Sequence, residues 1–350
     1  MSESELSEFA DRAVLVTGAC GTVGEEVVRQ LSAAGAKEII GIDNNEAEVF
    51  FQSERYKDDA GVEIYLGELR DGTKLKDRFD GIDTVIHAAA LKNVPVCEES
   101  PTEAIATNVV GTQNVIDAAI ATGVERVLFT STDKAVNPTT VMGTSKLMAE
   151  RLTTAANAQR RGATPVFAST RFGNVLGSAG SVLPLFKRQI ANGGPVTLTD
   201  PGMTRFIMTL SDATRLVLQS TFMARGGEVF ITKMPVARID HLAEVMVEEI
   251  APQVGREAES VEVQIIGSRP GEKMYEELMN TEEVRRADDI GDFLVVRPAL
   301  ASKYRFVDYS WENSAPADRP YNSEYEPAMT KEELRTYLVS NGLLQMSQGV

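Results

Sequence analysis

Three glycines and one Ser-Thr-Asp-Lys string have the types and spacing to do chemistry. Gly18, Gly21 and Gly24 recur every third residue. They follow a short apolar run, Ala13 to Thr17, and open a helical stretch from Glu25 to Ala34. Glycine lets a backbone approach a pyrophosphate closely. The helix start, just after Thr22 and Val23, offers unpaired N–H groups and a positive dipole end. Asp43 ends the next apolar run, 19 residues past Gly24. A carboxylate there accepts from both ribose hydroxyls and repels a 2′-phosphate. The pattern predicts a dinucleotide site with NAD preferred over NADP. The competing reading is a structural strand-to-helix turn with Asp43 as a helix cap.

The second group is Ser131-Thr-Asp-Lys134, which closes the fifth apolar run. That is the carboxyl edge of the predicted sheet, where ligands sit in such folds. Lys146 follows twelve residues later, one helical turn beyond Met142 and on the same face. Taken alone, Asp133 and Lys134 also read as a surface salt bridge. Two further loops flank the site. Glu68 and Leu69, in Gly67-Glu-Leu-Arg-Asp71, either contact the adenine end of a cofactor or solvate a loop. Ala88 and Ala89, after His87, are small enough for the backbone to pass close to the cofactor. His87 itself reads as a satisfied structural histidine.

These residues need elements to position them. Apolar runs at Ala13–Thr17, Glu38–Ile42, Val62–Leu66, Thr84–Ala88, Arg126–Thr130 and Pro165–Thr170 alternate with helix-length stretches. In one such stretch, Ile105, Val109, Thr112, Ile116 and Ala119 keep the spacing of a buried helix face. The alternation predicts an α/β fold: a Rossmann-type doubly wound parallel sheet with a smaller mixed α/β substrate domain. The dinucleotide domain spans about 10–175. The region 176–350 is interleaved with it, and segments near 205–240 are expected to pack back. Helices are predicted at about Ser211–Met223 and Ile239–Ile250, with a strand at Glu228–Thr232. Thr330-Lys-Glu-Glu333 fits a capping box. The aperiodic stretch from Ser302 to Tyr325 reads as a lid, an oligomer contact or a partly mobile loop.

Composition narrows the function classes. The chain has 350 residues, 43% of them apolar, and a formal charge of −16. That balance argues against nucleic acid or an anionic membrane surface as a partner. Two cysteines and two distant histidines assemble no zinc cluster, so no metal is expected. There is no apolar run of 18 residues and no signal-peptide pattern at the start, so the expected location is cytoplasmic.

Longer strings carry a resemblance. His87-Ala-Ala-Ala-Leu-Lys-Asn-Val-Pro95, Ser131-Thr-Asp-Lys-Ala-Val-Asn-Pro138, Val141-Met-Gly-Thr-Ser-Lys146, Arg171-Phe-Gly-Asn-Val-Leu-Gly177 and Arg269-Pro-Gly-Glu-Lys273 stand together in this sequence. Over Val14 to Leu278 the chain resembles the polysaccharide-biosynthesis branch of the extended short-chain dehydrogenase/reductase superfamily. Members of that branch are UDP-N-acetylglucosamine 4,6-dehydratases. Met142 stands at the usual acid/base tyrosine, a mark of one subgroup, and Asn93 stands where relatives often carry histidine.

The resemblance implies NAD as cofactor and UDP-N-acetylglucosamine as substrate. The sugar is oxidised at C4, loses water across C5–C6, and receives the hydride back at C6. It implies Asp133 as the acid for the C6 oxygen, Lys134 as the base for the C5 proton, and Thr132 as a hydrogen-bond partner of the C4 oxygen. Lys146 would hold the nicotinamide ribose. The C4 hydroxyl proton falls to Lys146, Asp133 or a relayed water, because Met142 cannot take it. Asn174, Arg205 and Arg269 match positions near the substrate diphosphate. Ser181, Val196 and Thr197 are expected along a uridine pocket, and Lys92 either faces the sugar or caps a loop. A homo-oligomer is expected because relatives form them. Two other functions stay open: a nucleotide-sugar 4-epimerase, and a non-catalytic NAD-binding scaffold.

Overall fold

The computed structural model describes residues 7–158, 164–268, 271–301 and 307–346. Six strands fall where β-branched apolar runs lie between turn residues. They are β1 (Ala13–Thr17), β2 (Glu38–Asp43), β3 (Val62–Leu66), β4 (Thr84–His87), β5 (Arg126–Thr132) and β6 (Val166–Phe172). All pair in parallel, in the order β3-β2-β1-β4-β5-β6, and Val229–Thr232 adds beyond β6. Connections run one way from β1 to β3 and the other way from β4 onward. The order therefore reverses between β1 and β4, and ligands of open α/β sheets bind at the carboxyl ends of such strands. β1 and β4 are buried at every position, as a sheet covered on both faces requires.

The sheet ends differently from the sequence expectation. Phe293–Val296, Ala287–Asp289 and Ala315–Pro316 extend it with antiparallel pairing, giving ten strands. These strands belong to the first of two compact units. That unit comprises the chain as far as Phe172, together with Ser211–Lys233 and Met279–Pro320. The segment expected to return near 205–240 is Ser211–Lys233. Met279–Pro320, expected in the second region, is a further return.

Three helices matter for the site: α1 (Thr22–Ala33), α2 (Gly111–Thr122) and α3 (Val141–Ala156). A wide π-helical turn, Ile105–Val110, leads into α2. It breaks the expected face at its start. Ile105 is 51% exposed and Ala104 and Asn108 are buried in its place, while Thr112, Ile116 and Ala119 are buried as expected. A π turn takes up more residues than an α turn and so rotates the register.

The second unit comprises Gly173–Leu210, Met234–Leu278 and the chain from Tyr321 on. Its core is built by the helices Val182–Ala191, Ile239–Ile250 and Lys331–Ser340. Thr330 caps the last of these in the expected box with Glu333.

Candidate active site

At the end of β1 the chain turns sharply. Gly18 has φ +69°, and a Cβ there would lie 2.7 Å from Ala89 Cα. A Cβ on Gly24 would lie 2.0 Å from the Gly18 carbonyl oxygen. Neither position admits a side chain, because backbone atoms occupy the space. Ala88 N donates to the Thr17 carbonyl at 3.1 Å, so the loops after β1 and β4 cross closely. The small residues at 88 and 89 are what this crossing requires. Asp43 faces the same turn. Its Oδ2 accepts from Cys20 N at 3.1 Å and its Oδ1 from Asn45 N at 3.0 Å. Close backbone approach, a helix start and an anchored carboxylate suit a dinucleotide. Thr22 and Val23 form the first turn of α1.

Glu68 lies beside this end of the site, bonded to Arg70 at 2.7 Å and to Asn44. The Arg70 guanidinium holds its carboxyl below the usual range. The Leu69 side chain is buried in the core and its carbonyl accepts from Asn114 at 2.7 Å.

His87 is structural, as expected. It is buried, with Nδ1 2.7 Å from Thr17 Oγ1 and Nε2 3.0 Å from Thr112 Oγ1. Burial, reinforced by Lys146, pushes its pKa down to about 3, so the ring is neutral.

β5 delivers Thr132, Asp133 and Lys134 to the carboxyl edge. Asp133 is buried, whereas the Lys134 side chain is 33% exposed. Asp133 Oδ1 accepts from Thr132 Oγ1 at 2.7 Å, from Lys134 N at 2.8 Å and from Lys134 Nζ at 2.9 Å. Asp133 Oδ2 is buried with no hydrogen-bond partner among the described residues. A buried acceptor left open is costly unless something fills it. An ion pair and a neutral acid–amine pair differ here only in where one proton sits along the 2.9 Å bond.

Helix α3 rests directly on this turn. A Cβ on Gly143 would lie 2.2 Å from the Lys134 carbonyl oxygen, so only glycine permits the approach. Thr140 caps the helix through Gly143 N at 3.1 Å. Met142 lies in a small apolar cluster with Cys97 and Ala104, packed by Leu91, Val94 and Val141. It supplies no proton. One turn on, Lys146 is 6% exposed and donates to the Thr130 carbonyl. Burial lowers its pKa to about 7, against an upward pull from Glu150.

Sequence reasoning missed Asn108. From inside the π turn, its amide accepts from Leu91 N at 2.8 Å and donates to the Leu91 carbonyl and to Ser145 Oγ, both at 2.9 Å. Ser145 Oγ donates to the Met142 carbonyl at 2.8 Å. Asn108 therefore ties the loop after β4 to α3. The available signal was an asparagine on an otherwise apolar helix face. In that same loop Lys92 is exposed, and Asn93, not Lys92, caps the helix Val94–Glu99.

In the second unit, Ser181 precedes the helix Val182–Ala191, and its Oγ is buried without a partner among the described residues. Asn174 pairs with Ile207 in a short parallel ladder. Thr197 exchanges hydrogen bonds with the Gln189 amide at 2.8 and 3.1 Å. Two further expected residues are enclosed by the protein. Val196 points into the core, because its short strand alternates inward at Val196 and Leu198. Arg205 is buried, with donors on the carbonyls of Thr204 (2.8 Å), Lys273 (2.9 Å) and Met274 (3.3 Å), and Glu276 is 3.6 Å away. It braces the 273–276 segment instead of standing open to solvent. Arg269 lies outside the described residues. Among the described residues there is no metal-ligating cluster, and no helix is long and apolar enough to cross a membrane.

The chain is similar to known proteins. The family described as "Polysaccharide biosynthesis protein" matches residues 14–298. An uncharacterized membrane protein of Methanocaldococcus jannaschii is 45% identical over 330 residues, covering 94% of this chain and 96% of that one. A UDP-glucose 4-epimerase of Rickettsia felis is 36% identical over 348 residues, covering 96% and 98%. The X-ray structure of Pen from Bacillus thuringiensis matches with TM-score 0.89 at 39% identity, covering 96% and 99%. DesIV, a dTDP-glucose 4,6-dehydratase from Streptomyces venezuelae with NAD bound, matches with TM-score 0.65 at 24% identity, covering 75% and 86%; it shares the fold.

Proposed function

The chain belongs to the polysaccharide biosynthesis protein family, and within its nucleotide-sugar branch we propose that it is a NAD-dependent UDP-N-acetylglucosamine 4,6-dehydratase. The carrying observation is the Asp133–Lys134 pair at the end of β5. Dehydration removes one proton from C5 and delivers one to the C6 oxygen. A pair that holds a single mobile proton between an acid and an amine does both and ends with the same total. Bound NAD supplies a reversible hydride acceptor, taking hydride from C4 and returning it to C6.

The chain's own residues do the rest. Thr132 orients the C4 oxygen. Once C4 is a ketone, the C5 proton is acidic enough for Lys134. Asp133, whose Oδ2 is open, protonates the departing C6 hydroxyl. As the hydride returns to C6, Lys134 gives a proton to C5, and the proton released from the C4 hydroxyl, taken by Lys146 or a relayed water, passes to Asp133 and restores the starting pair. Lys146 holds the nicotinamide ribose, and Asp43 selects NAD through the ribose hydroxyls. Nucleotide recognition is assigned to the second unit, through Asn174, Ser181 and Thr197, with Arg205 bracing the segment that follows Arg269.

A nucleotide-sugar 4-epimerase is the second reading, favoured by the name of the rickettsial relatives. It leaves the Asp133–Lys134 pair without a task. Incubation with UDP-N-acetylglucosamine in deuterated water, followed by mass spectrometry, separates the two. Loss of one water with deuterium at C5 supports the dehydratase. Unchanged composition with a new stereoisomer replaces it by the epimerase.

A further inference from the structure

His87 ends β4 and stands beside Thr17, which ends β1. Both ring nitrogens are taken. Nδ1 lies 2.7 Å from Thr17 Oγ1, and Nε2 lies 3.0 Å from Thr112 Oγ1 on α2. The partners decide where the ring's hydrogen sits. Thr112 has one hydroxyl hydrogen, which it donates to the Asn108 carbonyl at 2.7 Å. Turned towards the ring, that hydrogen would leave two oxygen lone pairs facing each other across this short contact. Thr112 Oγ1 therefore accepts from the ring, and Nε2 carries the hydrogen. In the neutral ring Nδ1 is then an acceptor, and Thr17 Oγ1 donates to it. The Thr17 oxygen in turn accepts from Ala89 N at 3.4 Å.

The hydrogen bonds thus run one way, from Ala89 N through Thr17, His87 and Thr112 to the Asn108 carbonyl. The two ends of this chain do different work. Ala89 N is among the atoms that a Cβ on Gly18 would meet, so the first end pins the crossing of the loops after β1 and β4. At the other end, Asn108 holds both backbone groups of Leu91 and donates to Ser145, the residue before Lys146 on α3. Thr17, His87, Asn108 and Thr112 are each at most 1% exposed, so none of them exchanges its partner for bulk water.

We propose that His87, held in its Nε2–H form, is a positioning residue that keeps the glycine turn for NAD in register with the helix carrying Lys146. It rests on the dehydratase reading for what Lys146 does in turnover, and on no reaction for where the ring's hydrogen sits. A neutral imidazole presents an acceptor and a donor on opposite sides of one rigid ring. Asparagine reaches only the Nδ1 position and glutamine only the Nε2 position, so the two halves of the link can be removed separately.

The first test uses the wild-type full chain without sugar. Long-range proton–nitrogen NMR of histidine-labelled protein reads which ring nitrogen carries the hydrogen. The chain has two histidines, and His241→Asn assigns their signals. A protonated Nε2 with a bare Nδ1 is expected, and a protonated Nδ1 overturns the proposal. This measurement stands whether or not the variants fold.

The second test separates the two ends. His87→Asn keeps the acceptor for Thr17 and loses the donor to Thr112. Its NAD affinity should stay within about twofold of wild type, while kcat at saturating NAD falls roughly tenfold. His87→Gln keeps the donor and loses the acceptor. It should bind NAD about fivefold more weakly, with kcat at saturating NAD near wild type. Folded variants that lose NAD affinity and kcat in equal proportion make the ring merely structural and overturn the positioning role. If the wild type makes no dehydrated product, the proposed reaction falls instead. The ring's hydrogen and the contrast in NAD affinity between the two variants then decide this inference, and equal NAD affinities overturn it.

Discussion

Lys134 Nζ lies 2.9 Å from Asp133 Oδ1, while the second oxygen of that carboxylate is buried and open. The proposed reaction needs the two residues to act together. Lys134→Ala and Asp133→Asn are therefore each expected to lower kcat by about 10²–10⁴-fold. NAD affinity should stay within a few-fold of wild type, because neither residue belongs to the glycine loop. Turnover by product mass and NAD titration by fluorescence check this together. Near-normal turnover in Lys134→Ala removes it as the base.

Gly24 has no room for a methyl group. Its Cβ would meet a carbonyl oxygen that cannot move without distorting the turn after β1. Gly24→Ala is expected to cost about 1–3 kcal/mol of stability and to weaken NAD binding by at least roughly tenfold. Urea unfolding and NAD titration are the measurements.

Asp43 is held by two backbone N–H groups on either side of the turn. Asp43→Ala removes the carboxylate proposed to accept from the ribose hydroxyls. NAD should bind about tenfold more weakly, the value of one charge-assisted hydrogen bond, while NADP loses little. A variant with an unchanged NAD-to-NADP ratio would show that the carboxylate does not read the ribose.

Asn108 serves both backbone groups of Leu91. Asn108→Ala leaves that buried N–H and C=O without their partner and cuts the link to Ser145. About 1–3 kcal/mol of stability should be lost. kcat should fall more than NAD affinity, since the loop after β4 loses its tie to α3. Equal losses in both would make Asn108 a purely structural residue.

Lys146 gives the pH prediction. Its folded pKa of about 7 lies below its ordinary value of 10.5. Between those values the unfolded chain binds more protons than the folded one, so stability rises with pH across that window. Compared with Lys146→Met, the wild type should gain on the order of 3 kcal/mol between about pH 7 and about pH 9.5, at roughly 1.36 kcal/mol per pKa unit. Urea titrations at the two pH values check the sign, and a gap that narrows in favour of the variant contradicts it.

Much of this was readable from residue order. Strands β1 and β3 and the helix Ile239–Ile250 lie where apolar runs and their flanking turns put them. The glycine loop was legible because its chemistry is local. What escaped depends on contacts distant in sequence. Ile105 fits a helical period, yet the π turn rotates it outward. Arg205 has the right type for a diphosphate, but nothing nearby in sequence announces the carbonyls of Lys273 and Met274 around it. Val196 sits in a strand too short for its inward face to be told from its neighbours. Thr17 and His87 are 70 residues apart, and only folding brings them together.

The late return of Met279–Pro320 also governs how the protein is made. Val229–Thr232 has β6 on one side and waits for Phe293–Val296 on the other. Until that later strand leaves the ribosome, the nascent sheet carries an unsealed border of backbone donors and acceptors. Such a border invites pairing with other chains. Slow synthesis past Thr232 should therefore raise the demand for chaperones, and misassembly should concentrate at this one strand.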